Sequence, residues 1–458
     1  MTTSTGNNLS DGTPYWRRNL AIMWLSQFLS LLGFSLSLPF APFFIRILLG
    51  GDADEAQVRV YAAISAALSN VSFAIMAPIW GVLADKYGRK PMVLRANFGG
   101  ALIVGLMGLS PNVLCFMLLR AVQGMFTGTM SASMTLVVSC TPQKRQGYAL
   151  GVLSTSVFSG DMTGLFIGGL LADTVGFRTS FFYAGLALGL SGLLVLWLAK
   201  ENFVRPVSVK TPSPQSHLTI NWQNWRWLLK PAMPLYIMFI FSTIARYLDN
   251  TQFALFVENM NGGKDMPGAS RLTSWVMCMG SIGAMLSGVV LGRFVDNHPK
   301  KVAKFSCRGA ACFMGIMAIL PYMLQSLPRV SVMGQDTTYA VLCLLPLRFL
   351  MIFCSAGLEP VWNTWLSKIT HPDRKGIMFG FAATARSIGC VLAHLSAGAL
   401  AYFLGVRSIF FVGPMLFLLL IPLINHYEKD ISAQIANLAE KLGYQSKDHR
   451  NPMGRQAR

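Results

Sequence analysis

The sequence predicts an all-α membrane protein whose twelve transmembrane helices form two parallel six-helix repeats. Only 12% of the 458 residues are charged and 53% are hydrophobic, whereas soluble domains carry about 25% charged residues. The chain holds twelve long apolar runs, and features of the first six recur in the last six. Disorder requires low hydrophobicity, and nucleic-acid binding requires basic clusters on a soluble domain, so both classes are excluded.

Each predicted span is a mostly apolar run of roughly 20 residues, the length that crosses a bilayer core. Spans 1 to 6 lie at 19–45, 58–83, 92–110, 113–139, 147–172 and 180–199. Spans 7 to 12 lie at 231–257, 272–294, 302–324, 339–367, 376–404 and 408–425. The predicted domains are an N-terminal bundle (1–199), a cytoplasmic linker with an interfacial Trp/Arg segment (200–230), a C-terminal bundle (231–426) and a cytoplasmic tail with a short amphipathic helix (427–458).

The basic residues predict the orientation of the spans. Of the 38 Lys and Arg residues, 27 lie in segments on the side of the two termini and seven lie on the opposite side. Because short cytoplasmic loops are enriched in Lys and Arg, both termini are expected in the cytoplasm. The net charge of +19 therefore reflects topology, and no nucleic-acid partner is expected.

Two sequence matches relate the halves. The segment 169–182 matches 398–411 at an offset of 229 residues, sharing glycine, arginine and Phe-Phe positions. The segment 81–90 matches 292–301 at an offset of 211 residues, so Asp296 corresponds to Asp85. Each match joins a span to the one six positions later, which makes the halves parallel. Parallel halves that rock about a midplane site provide alternating access.

The loop between spans 2 and 3 carries the first motif. It reads Gly81-Val-Leu-Ala-Asp85-Lys-Tyr-Gly88-Arg89-Lys90. This resembles the loop signature of the major facilitator superfamily, and the resemblance extends over nearly the whole chain. It implies the major facilitator fold and a latch that closes the cytoplasmic side when the cavity faces outward. The alternative is a positively charged topology signal with a turn glycine.

Span 4 contains Arg120-Ala-Val-Gln123-Gly124, which resembles a second signature of the superfamily. An arginine at membrane depth is costly unless it is paired or faces a wet cavity. Its repeat partner is Arg348, 228 residues later. In the drug:proton antiporter branch the matching arginine is linked to proton transfer. The alternative role of Arg120 is an inter-helix clamp.

Span 5 contains a glycine-rich motif, which reads Gly160-Asp161-Met-Thr-Gly164-Leu165-Phe-Ile-Gly168-Gly169. It resembles the antiporter signature, with Leu165 in place of its proline. The glycines offer a small face for close helix packing. Asp161 is not required by the signature, so we expect either a proton carrier or half of a structural ion pair.

The other deep ionisable residues are Arg246, Asp249, Arg348, Glu359, Arg386 and His394, and the first five are candidates for the proton-coupling and substrate cavity. Arg246 and Asp249 are three residues apart, which favours a self-neutralising pair on one helix face. Arg348 and Glu359 are eleven apart and are expected on one stripe at two depths. His394 is either a proton site or a hydrogen-bonded neighbour of other groups.

The segments Trp16-Arg-Arg-Asn-Leu, Phe34-Ser-Leu-Ser-Leu-Pro39 and 78–182 resemble bacterial multidrug-efflux proteins of the MdtG type. The resemblance implies a secondary active transporter, proton-coupled and exporting amphiphilic compounds across the bacterial inner membrane. Span 1 lacks a carboxylate, and four deep arginines face three carboxylates. An exporter or importer of an anionic or zwitterionic metabolite, such as a siderophore, is the alternative.

The remaining classes have less support. The chain contains neither HExxH nor GxSxG, so no enzyme is expected, and a receptor would need neither the latch loop nor the repeat. The eight cysteines form no CxxC and no group with His at metal spacing, so neither a metal nor a cofactor is predicted. The expected partners are a small-molecule substrate, protons and the lipid bilayer, with the chain acting as a monomer.

Overall fold

The computed structural model describes residues 15–50, 53–142, 145–201, 232–263, 268–295, 297–332, 335–370 and 375–441. These residues are almost entirely α-helical, as the sequence predicts. A short antiparallel pair, β1 (Val330–Val332) and β2 (Gln335–Thr337), joins spans 9 and 10. The predicted Trp/Arg segment of the linker lies outside the described residues.

The first half contains six spans in the predicted order. Its helices are Trp16–Ser37 and Ala41–Leu48 (span 1), Glu55–Tyr87 (span 2), Arg89–Met107 (span 3), Val113–Phe126 and Thr129–Cys140 (span 4), Gln146–Thr174 (span 5) and Phe177–Leu198 (span 6). A single 3₁₀ turn, Leu38–Phe40, connects the two parts of span 1.

The second half repeats this arrangement. Its helices are Met233–Tyr247 and Phe253–Met260 (span 7), Ala269–Val290 and Gly292–Val295 (span 8), Pro299–Leu324 (span 9), Tyr339–Ala356 and Leu358–Ile369 (span 10), Lys375–Leu404 (span 11) and Ile409–Lys441 (span 12). A 3₁₀ turn, Val406–Ser408, precedes the last helix.

The described helices account for the twelve predicted spans. Nine segments in the described part of the chain are long and apolar enough to cross a membrane by themselves. The three others are Arg89–Met107, the broken span 4 and the broken span 7. The last helix continues to Lys441 without interruption, so the tail helix expected after residue 427 extends span 12 instead of forming a separate element.

Four repeat-related spans, 1, 4, 7 and 10, are interrupted along their length. Pro39 lies in the interruption of span 1, and Gly128 with a φ of +117° begins the second part of span 4. Span 7 is interrupted between Tyr247 and Phe253, and span 10 at Gly357. Non-helical backbone at membrane depth is tolerated where it is buried in protein or lines a water-filled cavity. These spans are therefore candidates for the cavity wall.

The repeat seen in the sequence has a structural counterpart. Gly176 and Gly405 have φ values of +85° and +80° and lie at equivalent turns. Two residues later, Arg178 donates to the carbonyl of Gly108 at 3.0 Å, and Arg407 donates to the carbonyl of Ala318 at 3.0 Å. The repeat-related arginines therefore play the same part: Arg178 ties the turn before span 6 to span 3, and Arg407 ties the turn before span 12 to span 9.

The glycine motif of span 5 sets its distance from span 1. A Cβ placed on Gly160, Gly164 or Gly168 would collide with a backbone carbonyl oxygen of Phe28, Leu32 or Leu36 respectively. The three glycines therefore let the two backbones approach closely. This close packing positions Asp161, which follows the first of the three, beside span 1.

The described contacts between the halves run from the end opposite the termini to the middle of spans 5 and 8. Span 2 packs on span 11 and span 5 packs on span 8. Gly398 faces Ala63, and Gly169 faces Ser274. Both contacts involve the parts of the spans nearest the loops opposite the termini.

Candidate functional site

A cavity of about 570 Å³ lies between the halves, within the size range of small-molecule sites, roughly 300–1,000 Å³. Spans 1, 2, 4 and 5 line one side, and the repeat-related spans 7, 8, 10 and 11 line the other. The polar lining is Ser35, Ser65, Asn70, Arg120, Asp161, Arg246, Tyr247, Asn250, Thr251, Ser281, Arg348, Cys390 and His394. The wall also includes apolar residues such as Phe34, Phe158 and Met277.

Four of the predicted cavity residues lie on this wall. They are Arg120, Asp161, Arg246 and Arg348. Asp249, Glu359 and Arg386 are not part of the lining, but they form ion pairs beside it. The structure therefore brings all seven predicted residues to one region, in two roles.

Asp161 accepts hydrogen bonds from two hydroxyls. Ser35 of span 1 donates to Oδ1, and Ser281 of span 8 donates to Oδ2 at 2.5 Å. No ion pair to Asp161 occurs among the described residues. One carboxylate thus joins the two halves through serines, without an ion-pair partner in the part of the chain that the structure describes.

Arg120 is held by a glutamine instead of a carboxylate. Its Nη1 donates to Oε1 of Gln123 at 3.1 Å, and the same oxygen accepts from Ser69 of span 2 at 2.9 Å. Gly124 allows this approach, since a Cβ there would collide with the carbonyl of Ser69. In the described part of the chain Arg120 has no ion pair.

Arg348 forms a buried ion pair with Asp249. Their side chains are 5% and 1% exposed, and the Arg348 guanidinium lies 4.1 Å from the centre of the Phe253 ring. The pair connects span 10 to the interruption of span 7. A carboxylate in hydrogen-bond contact offsets the cost of burying the guanidinium.

Glu359 binds two arginines. Arg246 donates to Oε2 at 3.1 Å, and Arg386 donates to Oε1. The expected pair between Arg246 and Asp249 is therefore wrong. Its physical reason is that the helix of span 7 ends at Tyr247, so Asp249 lies beyond the helical face that carries Arg246.

Arg348 and Glu359, which are expected on one stripe at two depths, have different partners. Arg348 binds Asp249 and lines the cavity, whereas Glu359 binds Arg246 and Arg386 beside it. His394 lines the cavity, is 5% exposed, and its Nδ1 has no hydrogen-bond partner among the described residues.

The start of span 3 is tied to the beginning of the linker, at Glu201. Gly88 has a φ of +99° and precedes the first turn, where the backbone N–H groups of Arg89 and Lys90 donate to the Glu201 carboxylate. Lys90 Nζ also donates to the carbonyl of Ala199 at 2.7 Å. The side chain of Asp85, the surroundings of Gly81, and Asp296 lie outside the described residues.

Sequence reasoning missed a set of polar contacts that bridge the halves at the closed end. Arg46 of span 1 and Glu258 of span 7 form two hydrogen bonds of 2.6 Å each. Arg59 of span 2 donates to the carbonyl of Ala401 of span 11 at 3.2 Å. Arg271 lies 3.6 Å from the carboxylate of Asp173. In the sequence these arginines stand out only as positive charges near the loops opposite the termini, so their partners could not be predicted.

The two parallel halves and the cavity between them define a membrane transporter. The sequence profile of the Major Facilitator Superfamily matches residues 23–334. The chain belongs to the Major Facilitator Superfamily. It is therefore a multi-pass membrane transporter of small molecules and not an enzyme.

The relatives include bacterial efflux proteins. The chain is 32% identical over 399 residues to the multi-drug resistance efflux pump PmrA of Streptococcus pneumoniae, covering 86% of this chain and 92% of that protein. It is 29% identical over 404 residues to the multidrug resistance protein MdtG of Salmonella typhimurium, covering 88% and 93%. A solved bacterial homologue of the lysosomal transporter Spinster, in an inward-facing and unoccupied conformation, shares the fold, with a TM-score of 0.66, 14% identity and coverage of 92% and 98%.

Proposed function

We propose that this transporter exports amphiphilic small molecules in exchange for protons, by alternating access. The observation that carries the proposal is Asp161, a carboxylate on the cavity wall that is held by one serine from each half and by no cation among the described residues. A lone negative charge away from bulk water is unfavourable, so the site favours binding of a proton or a cationic group.

Competition at Asp161 provides the coupling. A proton and the cationic group of a cargo molecule each neutralise the same carboxylate, so each displaces the other. The hydrogen bond from Ser281 crosses between the halves, so a change of charge at Asp161 also changes a contact between them. This links the occupancy of the site to the relative position of the halves.

The halves, 1–199 and 231–426, are the units that rock. The described contacts close the end that carries Arg46, Arg59 and Arg271. With both termini on the cytoplasmic side of a bacterial inner membrane, this end faces outward and the cavity is inward-facing. The loop Gly81–Lys90 would then engage in the opposite state, and the chain works as a monomer.

A second candidate is a carrier of anionic or zwitterionic metabolites, such as siderophores. The specific observation is an excess of positive charge among the deep residues. Glu359 binds two arginines but neutralises only one of the two charges, and Arg120 has no carboxylate partner in the described structure. Such a carrier could also import its cargo, with the protonated Asp161 avoiding repulsion of an anion.

Transport by the purified full-length chain in liposomes tests the proposal. An amphiphilic fluorescent cation should move against its concentration gradient only while a pH gradient is imposed, and a protonophore should abolish the movement. Transport at the same rate with and without the pH gradient would refute proton coupling. Concentration of an anionic chelate but not of the cation would favour the second candidate.

A further inference from the structure

Arg120 and His394 are buried on the cavity wall with unsatisfied nitrogens. Arg120 belongs to span 4 of the first half and is 9% exposed, while His394 belongs to span 11 of the second half and is 5% exposed. Within the described structure, Nε of Arg120 and Nδ1 of His394 have no hydrogen-bond partner. Both side chains line the same cavity.

Arg120 differs from the other three deep arginines because, among the described residues, each of those contacts a carboxylate and Arg120 does not. Arg348 binds Asp249, and Glu359 binds the two others. Among the described residues, Arg120 uses one of the five N–H donors of its guanidinium, toward the neutral side chain of Gln123. Asp161 is bound to serines elsewhere on the wall, so it does not supply the missing negative charge. A buried cation without a counter-ion is costly, which indicates that a ligand supplies one.

We propose that Arg120 and His394 form a subsite for the anionic group, such as a carboxylate, of an amphiphilic cargo. This inference rests on the proposed transport function and specifies the cargo. A guanidinium binds a carboxylate by charge-assisted hydrogen bonds, and a neutral imidazole adds one N–H donor. Because the two residues come from opposite halves, the anion is bound from both sides of the cavity.

With this subsite, the cavity has one binding position for an anionic group and one for a cationic group. A cargo carboxylate binds at Arg120 and His394, and a cationic group of the same molecule binds at Asp161. Phe34, Phe158 and Met277 of the wall accept the apolar body between them. The cavity therefore favours zwitterionic amphiphiles over lipophilic cations that lack an anionic group.

A matched pair of dyes tests the subsite. One is a zwitterionic rhodamine with a free carboxylate, and the other is its methyl ester, which keeps the cation and the ring system but masks the anion. Binding to the purified full chain in nonionic detergent is measured by fluorescence polarisation. We expect the free acid to bind at least about tenfold more tightly, because charged hydrogen bonds are at stake.

Variants assign the preference to the two residues. Arg120→Gln should bring the acid-to-ester ratio close to one, and His394→Ala should lower it several-fold. Arg17→Gln removes an exposed arginine outside the cavity and should leave the ratio unchanged. The proposal is overturned if the wild-type protein prefers the ester, or if Arg120→Gln keeps the full preference. Should Arg120→Gln not yield folded protein, an unchanged ratio in His394→Ala overturns it instead.

These measurements are independent of proton coupling. Binding is recorded without a pH gradient, so a transporter that failed the liposome test could still show the carboxylate preference. Conversely, loss of the preference would leave proton-driven transport of the cationic ester intact. The two proposals therefore fail separately.

Discussion

Removing the carboxylate of Asp249 should destabilise the protein more than removing any exposed carboxylate. Asp249→Asn leaves Arg348 charged in a site where the two side chains are 5% and 1% exposed. Breaking a buried ion pair from one side costs about 3–5 kcal/mol, which lowers the folded-to-unfolded ratio by at least about 100-fold. The Phe253 ring contact remains, but it is worth only about 0.5–2 kcal/mol.

The matched control is Glu55→Gln. Glu55 forms the same kind of contact with Arg59, but its side chain is 38% exposed, and pairs of this kind contribute about 0–1 kcal/mol. Both substitutions convert a carboxylate to an amide beside an arginine, so they differ chiefly in burial. Thermal unfolding of the purified proteins in one detergent should show a much lower midpoint for Asp249→Asn than for Glu55→Gln.

A double variant separates the buried charge from the loss of packing. Asp249→Asn combined with Arg348→Leu removes both charges and should recover most of the lost stability, because no uncompensated charge remains. Equal midpoints for Asp249→Asn and Glu55→Gln would refute the reasoning. A double variant less stable than Asp249→Asn alone would also refute it.

Two further predictions concern packing and the closed end. Gly164→Ala should destabilise the protein by about 1–3 kcal/mol, because its Cβ would lie 2.5 Å from the Leu32 carbonyl oxygen. The control is Gly151→Ala in the same helix, whose Cβ meets nothing within 4 Å and which should be neutral or stabilising. Equal thermal midpoints for the two variants would contradict this. Because Cys390 also lines the cavity, the native cysteines are replaced first. Glu258→Gln then breaks the cross-half pair with Arg46 and should raise, by about tenfold, labelling of a cysteine placed at Ser65 by an impermeant thiol reagent added outside. Glu428→Gln, which breaks a pair with Lys300 within the second half, is its control, and unchanged labelling by Glu258→Gln would exclude a role in closure.

Hydropathy and spacing predicted the fold because both depend on local composition. Apolar runs of membrane-spanning length gave the twelve spans, and the recurrence of Gly176, Arg178, Gly405 and Arg407 gave the parallel repeat that the structure shows. The deep ionisable residues were predictable for the same reason, since a charge within an apolar run stands out.

The pairing of those residues could not be predicted from spacing. The interruption after Tyr247 takes Asp249 away from Arg246, so that each binds a partner on another span. Helix periodicity assumes an uninterrupted helix, so it assigned the wrong partners. Ser35 and Ser281 carried no signal at all, because serine is ordinary in transmembrane helices and only the tertiary structure brings both to Asp161.

The most direct test of proton-coupled exchange at Asp161 compares two modes of transport in Asp161→Asn. The amide mimics the protonated carboxyl group, so cargo exchange between equal internal and external pools should continue. Accumulation driven by a pH gradient should be lost in the same liposomes, because the variant can no longer bind and release a proton at this site. An Asp161→Asn protein that still concentrates cargo with the pH dependence of the wild type would contradict the account.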